Sequence, residues 1–72
     1  MDKQKLLSVM ADNIRIERLR RRYSQGELAE LANITERYLN QIETKKVNPT
    51  IFVVVKICDA LRIEVSKLFV DE

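Results

Sequence analysis

Between residues 25 and 44 the apolar positions fall into two short helical patterns. Leu28, Ala29, Leu31 and Ala32 recur at helical spacing, and Leu39 and Ile42 continue an apolar face after a break at Asn33-Ile34-Thr35. Each residue of the break has a role in a tight turn. Asn33 tolerates the left-handed conformation that ends a helix, Ile34 can fold back on the apolar face, and Thr35 is a good N-cap for the next helix. Ser24 opens the first of the two helices as half of a capping box with Glu27. Upstream, Leu6, Leu7, Met10, Ile14 and Leu19 predict one long helix over residues 4 to 22. Downstream, Pro49 disfavours helix at Asn48, and Thr50 caps a fourth helix through Leu61. Ile51, Val54, Ile57, Cys58 and Leu61 make its core face, which leaves Phe52, Val53 and Val55 directed elsewhere. The run FVVV would also suit a strand, but the capped start and the helical neighbours favour helix. A short fifth helix over Val65 to Phe69 completes an all-α, compact five-helix fold, a single domain over 1–72.

Composition narrows the function classes. A 72-residue chain is near the lower limit for independent folding, so surface buried against a partner is useful to it. Hydrophobic residues are 46% and charged residues 33%, an ordinary globular balance, and the formal charge of +2 is too small to prove a polyanionic partner. No apolar run spans a bilayer and no signal-peptide core follows Met1, so a cytoplasmic protein is expected, with no membrane association. There is no histidine and one cysteine, Cys58. That excludes an internal disulfide, leaves no metal site and removes the commonest general base, so no cofactor, no small-molecule ligand and no enzymatic activity are expected.

Gln25, Leu28, Ala29, Asn33, Ile34, Leu39, Ile42 and Glu43 together resemble the motif of the XRE/Cro-type, lambda-repressor-like helix-turn-helix proteins. The match runs upstream through Ile14 and Arg18 and downstream through Asn48-Pro49-Thr50 to Leu61, Ile63, Val65, Leu68 and Phe69. At three places where that family usually has glycine, this chain has Asn33, Lys45 and Arg62. The resemblance implies a lambda-repressor-like DNA-binding domain whose second motif helix, residues 35–43, enters the major groove. It also implies a structural pair between Arg18 and Glu43, and a phosphate contact by Gln25.

In that geometry Leu39 and Ile42 face inward, which turns Glu36, Arg37, Asn40, Gln41 and Thr44 outward. Arg37 suits guanine O6 and N7, Gln41 or Asn40 suits adenine N6 and N7, and Glu36 can accept from cytosine N4. The bland alternative is a solvated polar face. Ser24, Thr35, Tyr38, Thr44, Lys45, Lys46 and Asn48 are candidates for the DNA backbone, beside Gln25. The arginines at 20 to 22 suit either a solvated helix end or long-range attraction of phosphates.

One such domain reads few bases, and the surplus apolar residues suggest how two are joined. Phe52, Val53, Val55, Ile63, Val65 and Phe69 are the expected homodimer interface, as the resemblance to restriction–modification controller proteins also implies. The expected function is a transcriptional regulator that binds an inverted-repeat operator in double-stranded DNA as a homodimer. The competing readings are an antitoxin and a protein-interaction module that uses the apolar surface of the last two helices.

Overall fold

A computed structural model describes residues 2–71, so the two ends of the expected 1–72 domain lie outside the described residues. The order is α1 (Lys3–Arg20), α2 (Gln25–Ala32), α3 (Glu36–Glu43), α4 (Ile51–Leu61) and a final 3₁₀ turn (Val65–Phe69). Among the described residues there is no strand, so FVVV is helical. The expected fifth helix is corrected to a 3₁₀ turn: Val65–Phe69 is only five residues long, and its first residue has no side-chain cap.

Every α-helix begins on a side-chain cap. Asp2, Ser24, Thr35 and Thr50 each accept from a backbone N–H of the first turn. Every α-helix also ends in the same way. The residue after the cap or at it, Arg22, Asn33, Lys45 or Arg62, is left-handed, with φ of 58, 58, 65 and 59°. The next N–H then closes the turn: Tyr23 donates to Arg18 O, Ile34 to Ala29 O, Lys46 to Gln41 O and Ile63 to Cys58 O. These paired bonds explain why left-handed geometry survives without glycine. They also correct the extent of the first helix, which stops at Arg20 instead of continuing to 22 because the Arg18 carbonyl is taken by Tyr23. Tyr23, Ile34 and Ile63 then pack on the core.

A long cationic side chain in the left-handed region costs about 1–2 kcal/mol. Arg62→Gly is therefore expected to raise the unfolding free energy by about 0.5–1 kcal/mol after glycine's greater freedom in the unfolded chain is subtracted. Thermal melts should move up by about 2–8 °C. An unchanged or lower melting temperature would show that Arg62 carries no strain.

α1 lies against the 3₁₀ turn, and α2 lies against both α3 and α4. The core takes Met10, Ala11 and Ile14 from α1, Leu28, Ala29 and Ala32 from α2, and Leu39 and Ile42 from α3. Val54, Ile57, Cys58 and Leu61 come from α4, and Leu68 from the 3₁₀ turn. Of the residues expected on the apolar faces, Leu6 and Leu7 are only half-buried and three others are open to solvent. Leu19, Leu31 and Ile51 are 48, 56 and 57% exposed, because each sits at the margin of its stripe, where no neighbouring helix covers it. The chain end is held by a clamp: the Asn13 amide on α1 donates to Leu68 O at 2.8 Å and Val70 O at 2.9 Å.

Candidate nucleic-acid interface

α3 is seated by three buried residues, Leu39, Ile42 and Glu43, with Tyr38 half-buried on the core beside them. Burying that side leaves Glu36, Arg37 and Asn40 exposed and Gln41 half-buried, so the polar stripe faces solvent. Thr35 accepts from Tyr38 N at 3.0 Å and starts the helix. The proton of Thr44 is committed to the Asn40 carbonyl at 2.8 Å, which leaves its hydroxyl only acceptor capacity toward an outside group.

A single hydrogen-bonded chain runs from the interior to this stripe. Arg18 of α1 meets Glu43 with both arms, Nε to Oε2 at 2.8 Å and Nη2 to Oε1 at 3.0 Å. The pair is buried, with side chains 10 and 2% exposed, and Arg18 Nη1 also donates to Tyr23 O at 2.8 Å. Glu43 Oε1 accepts again, from Gln25 Nε2 at 3.2 Å, and Gln25 Oε1 accepts from Asn40 Nδ2 at 3.2 Å. The carboxylate decides the direction of every amide in this chain. An acceptor at Glu43 demands that Gln25 present its NH₂, so its oxygen faces Asn40, which must donate. Asn40 keeps one N–H and its Oδ1 for an outside group, the donor and acceptor pair that adenine N7 and N6 require.

The first turn of α2 borders the same face. Ser24 Oγ accepts from Glu27 N at 3.0 Å, and Glu27 Oε1 accepts from Ser24 N at 2.8 Å. The backbone N–H groups of Gln25 and Gly26 find no acceptor among the described residues and carry the positive end of the helix dipole. The bond from Ser24 N–H holds the Glu27 carboxyl below the usual glutamate range, with the Ser24 hydroxyl adding to it. The capping contribution is thus complete at neutral pH and is lost as acid takes the pH down through that lowered value.

The cations divide into free and committed groups. Lys45 pairs with Asp12 of α1 at 3.1 Å, whereas Lys46 and Asn48 are exposed. Glu17 binds Arg21 at 2.7 Å and Arg20 at 3.0 Å. The Arg21 hydrogen bond is the main reason its carboxyl lies below the ordinary value. Part of the arginine cluster is therefore neutralised within its own helix, and Arg22 is the member set apart, in the left-handed turn.

Sequence reasoning had no means of finding the bond between Gln25 and Asn40, which depends on how α2 crosses α3, nor the clamp at Asn13. Gly26 was also passed over. A Cβ there would lie 3.1 Å from Glu36 Oε1, so glycine marks a close approach of α3 to α2. Of the six residues expected at a dimer interface, Phe52 is 78% and Val55 39% exposed. Val53, Ile63, Val65 and Phe69 are half-buried against the chain's own core. No group of metal-ligating residues occurs among the described residues. Burial pushes the Cys58 thiol above its usual range, so it stays protonated and unreactive at neutral pH. No helix among the described residues is long and apolar enough to cross a membrane.

Two helices joined by a left-handed turn, the second presenting a polar stripe, define a helix-turn-helix protein. The chain belongs to the helix-turn-helix family HTH_3, whose model matches residues 14–68 and therefore includes all of the motif. It is of the XRE type, a class of DNA-binding transcription regulators. Among solved structures it is similar to the restriction-modification controller protein C.AhdI from Aeromonas hydrophila, at 28% identity and a TM-score of 0.84 over 88% of this chain and 96% of that one. A hypothetical transcription factor, NHTF, from Neisseria matches at 30% identity and a TM-score of 0.88, over 97% of this chain and 80% of that one. An HTH_3 family transcriptional regulator from Vibrio cholerae matches 94% of this chain at 28% identity and a TM-score of 0.88, but only 38% of its own length is covered. These relatives are regulators, not enzymes. No curated protein gives a significant match.

Proposed function

We propose that the chain is a sequence-specific transcriptional regulator that binds an inverted-repeat operator as a homodimer, with α3 in the major groove. The observation that carries this reading is the outward stripe of Arg37, Asn40 and Gln41, one member of which is oriented from the interior through Gln25 and Glu43. Arg37 contacts guanine, Asn40 or Gln41 contacts adenine, and Glu36 accepts from cytosine. Ser24, Gln25, Thr35, Tyr38, Thr44, Lys45, Lys46 and Asn48 lie toward the DNA backbone in this arrangement, with Lys45 first leaving Asp12. A dimer places two copies of α3 about 10 base pairs apart, which matches the rise of one turn of the duplex. The exposed Phe52 and Val55, together with the half-buried Val53, Ile63, Val65 and Phe69, form the two-fold interface. The controller protein C.AhdI, 96% of whose chain is covered, supports the regulator reading.

Selection of bound duplexes from a random library, with sedimentation of the same sample, tests the reading. Enrichment of an inverted repeat by a dimer is the expected result, and monomers at tens of micromolar with no enriched sequence would overturn it. Arg37→Ala is expected to cost about 1–3 kcal/mol on the preferred site and relax the preference at a single base pair. Repeating the selection with the variant checks this, since a phosphate contact would weaken all sequences alike.

A further inference from the structure

Glu36 stands at an unexpected place for an anion. It is the first residue of α3, exposed and outside every ion pair of the described residues, Arg37 included. Its Oε1 packs against Gly26, 3.1 Å from where a Cβ would be, and Ser24 Oγ is 3.8 Å from the same point. The carboxylate therefore lies over the first turn of α2, while its own residue opens α3, so it sits near the N-terminal ends of both helices. Those turns are the part of the surface that a phosphate backbone approaches in the reading above, on which this inference rests. A side chain at position 26 would push the carboxylate back by a few tenths of an ångström.

We propose that Glu36 is a specificity-determining residue that acts by repulsion: its carboxylate, folded onto Gly26, excludes DNA phosphates from the first turn of α2 until a cytosine amine draws it away. A duplex that offers the amine at the right position exchanges one partner of the carboxylate for another. A duplex without it leaves an anion against an anion in a partly dehydrated interface. The penalty falls on wrong sequences and not on the right one, so the gap between operator and random DNA widens beyond what the cytosine contact alone supplies. The small net charge of +2 agrees with a protein that limits its non-specific attraction to DNA.

Binding to a random-sequence duplex over a series of salt concentrations tests this with the intact chain, comparing wild type with E36Q, E36D and E30Q. Glu30 is an exposed carboxylate on the same α2 helix and controls for the change in net charge. E36Q is expected to bind random duplex about five- to tenfold more tightly than wild type, as expected for removing one unit charge near a phosphate. The slope of log affinity against log salt should steepen by about 0.9, for one additional phosphate neutralised. E36D keeps the charge but is one methylene shorter and withdraws from Gly26, so its affinity for random duplex should lie between those of wild type and E36Q. An E36Q effect no larger than that of E30Q, or E36D indistinguishable from wild type, overturns the proposal while the regulator reading stands. Absence of salt-dependent binding in all four proteins overturns both.

Discussion

Arg18→Met is expected to lower the unfolding free energy by about 3–5 kcal/mol, because it leaves the Glu43 carboxylate buried with its charge uncompensated. That is a large share of the roughly 4–11 kcal/mol available to a domain of this size. The Glu43 side chain is 2% exposed and has the Gln25 amide as its remaining partner, and one neutral donor does not replace the two guanidinium bonds. Urea denaturation followed by far-ultraviolet circular dichroism measures the loss; a change below about 1 kcal/mol would mean that water reaches Glu43 readily. Adding Glu43→Leu should recover most of the stability, since removing both charges removes the desolvation cost along with the attraction. It should not recover the orientation of Asn40, because Gln25 loses the acceptor that sets its amide. The double variant therefore separates two roles of one ion pair, holding helices and aiming a side chain. Stability returns, while the preference at the base facing Asn40 is relaxed.

Leu39→Ala should cost about 2–5 kcal/mol, the transfer of the lost methyl groups plus the cavity they leave. Leu39 is fully buried on the inner side of α3. Its counterpart is Leu31→Ala, one motif helix earlier and also a leucine on an apolar stripe, where about 0.5 kcal/mol or less is expected because Leu31 is 56% exposed. Denaturation curves of the two variants side by side distinguish the seat of the recognition helix from a residue that merely shares its spacing. Equal effects would contradict the packing described above. The loss in Leu39→Ala should also weaken binding to all DNA sequences alike, as α3 itself loosens.

Much of the architecture was legible because the signals are local. Ser24, Thr35 and Thr50 cap their helices through bonds spanning three residues, and such bonds depend on little beyond the adjacent sequence. Asn33 ends α2 in the left-handed region by the same short-range logic. Helical spacing placed Leu28, Leu39, Ile42, Ile57 and Leu61 in the core, where all are buried. It failed for Leu19, Leu31 and Ile51, since periodicity identifies a stripe but not how wide a strip the neighbouring helix covers. The fifth helix failed for a related reason: five residues without a cap lack the cooperativity that a longer helix draws on.

The candidate site divides along the same line. The chain by itself determined which residues face outward on α3, because burying Leu39 and Ile42 leaves that helix one orientation. It also determined that Ser24, Thr35 and Thr50 start their helices and that Asn33 ends α2, whereas the stop of α1 at Arg20 and the left-handed Arg22, Lys45 and Arg62 were not legible in it. Tertiary structure alone decided that Glu43 aims Gln25 and Gln25 aims Asn40, that Lys45 is held by Asp12, and that Glu36 rests on Gly26. Each of those contacts joins residues on different elements, ten to thirty-three positions apart by their numbers. Their existence depends on the crossing of α2 over α3 and on the long first helix beneath them. A crossing angle is set by the summed packing of the core, which no local pattern of residues encodes.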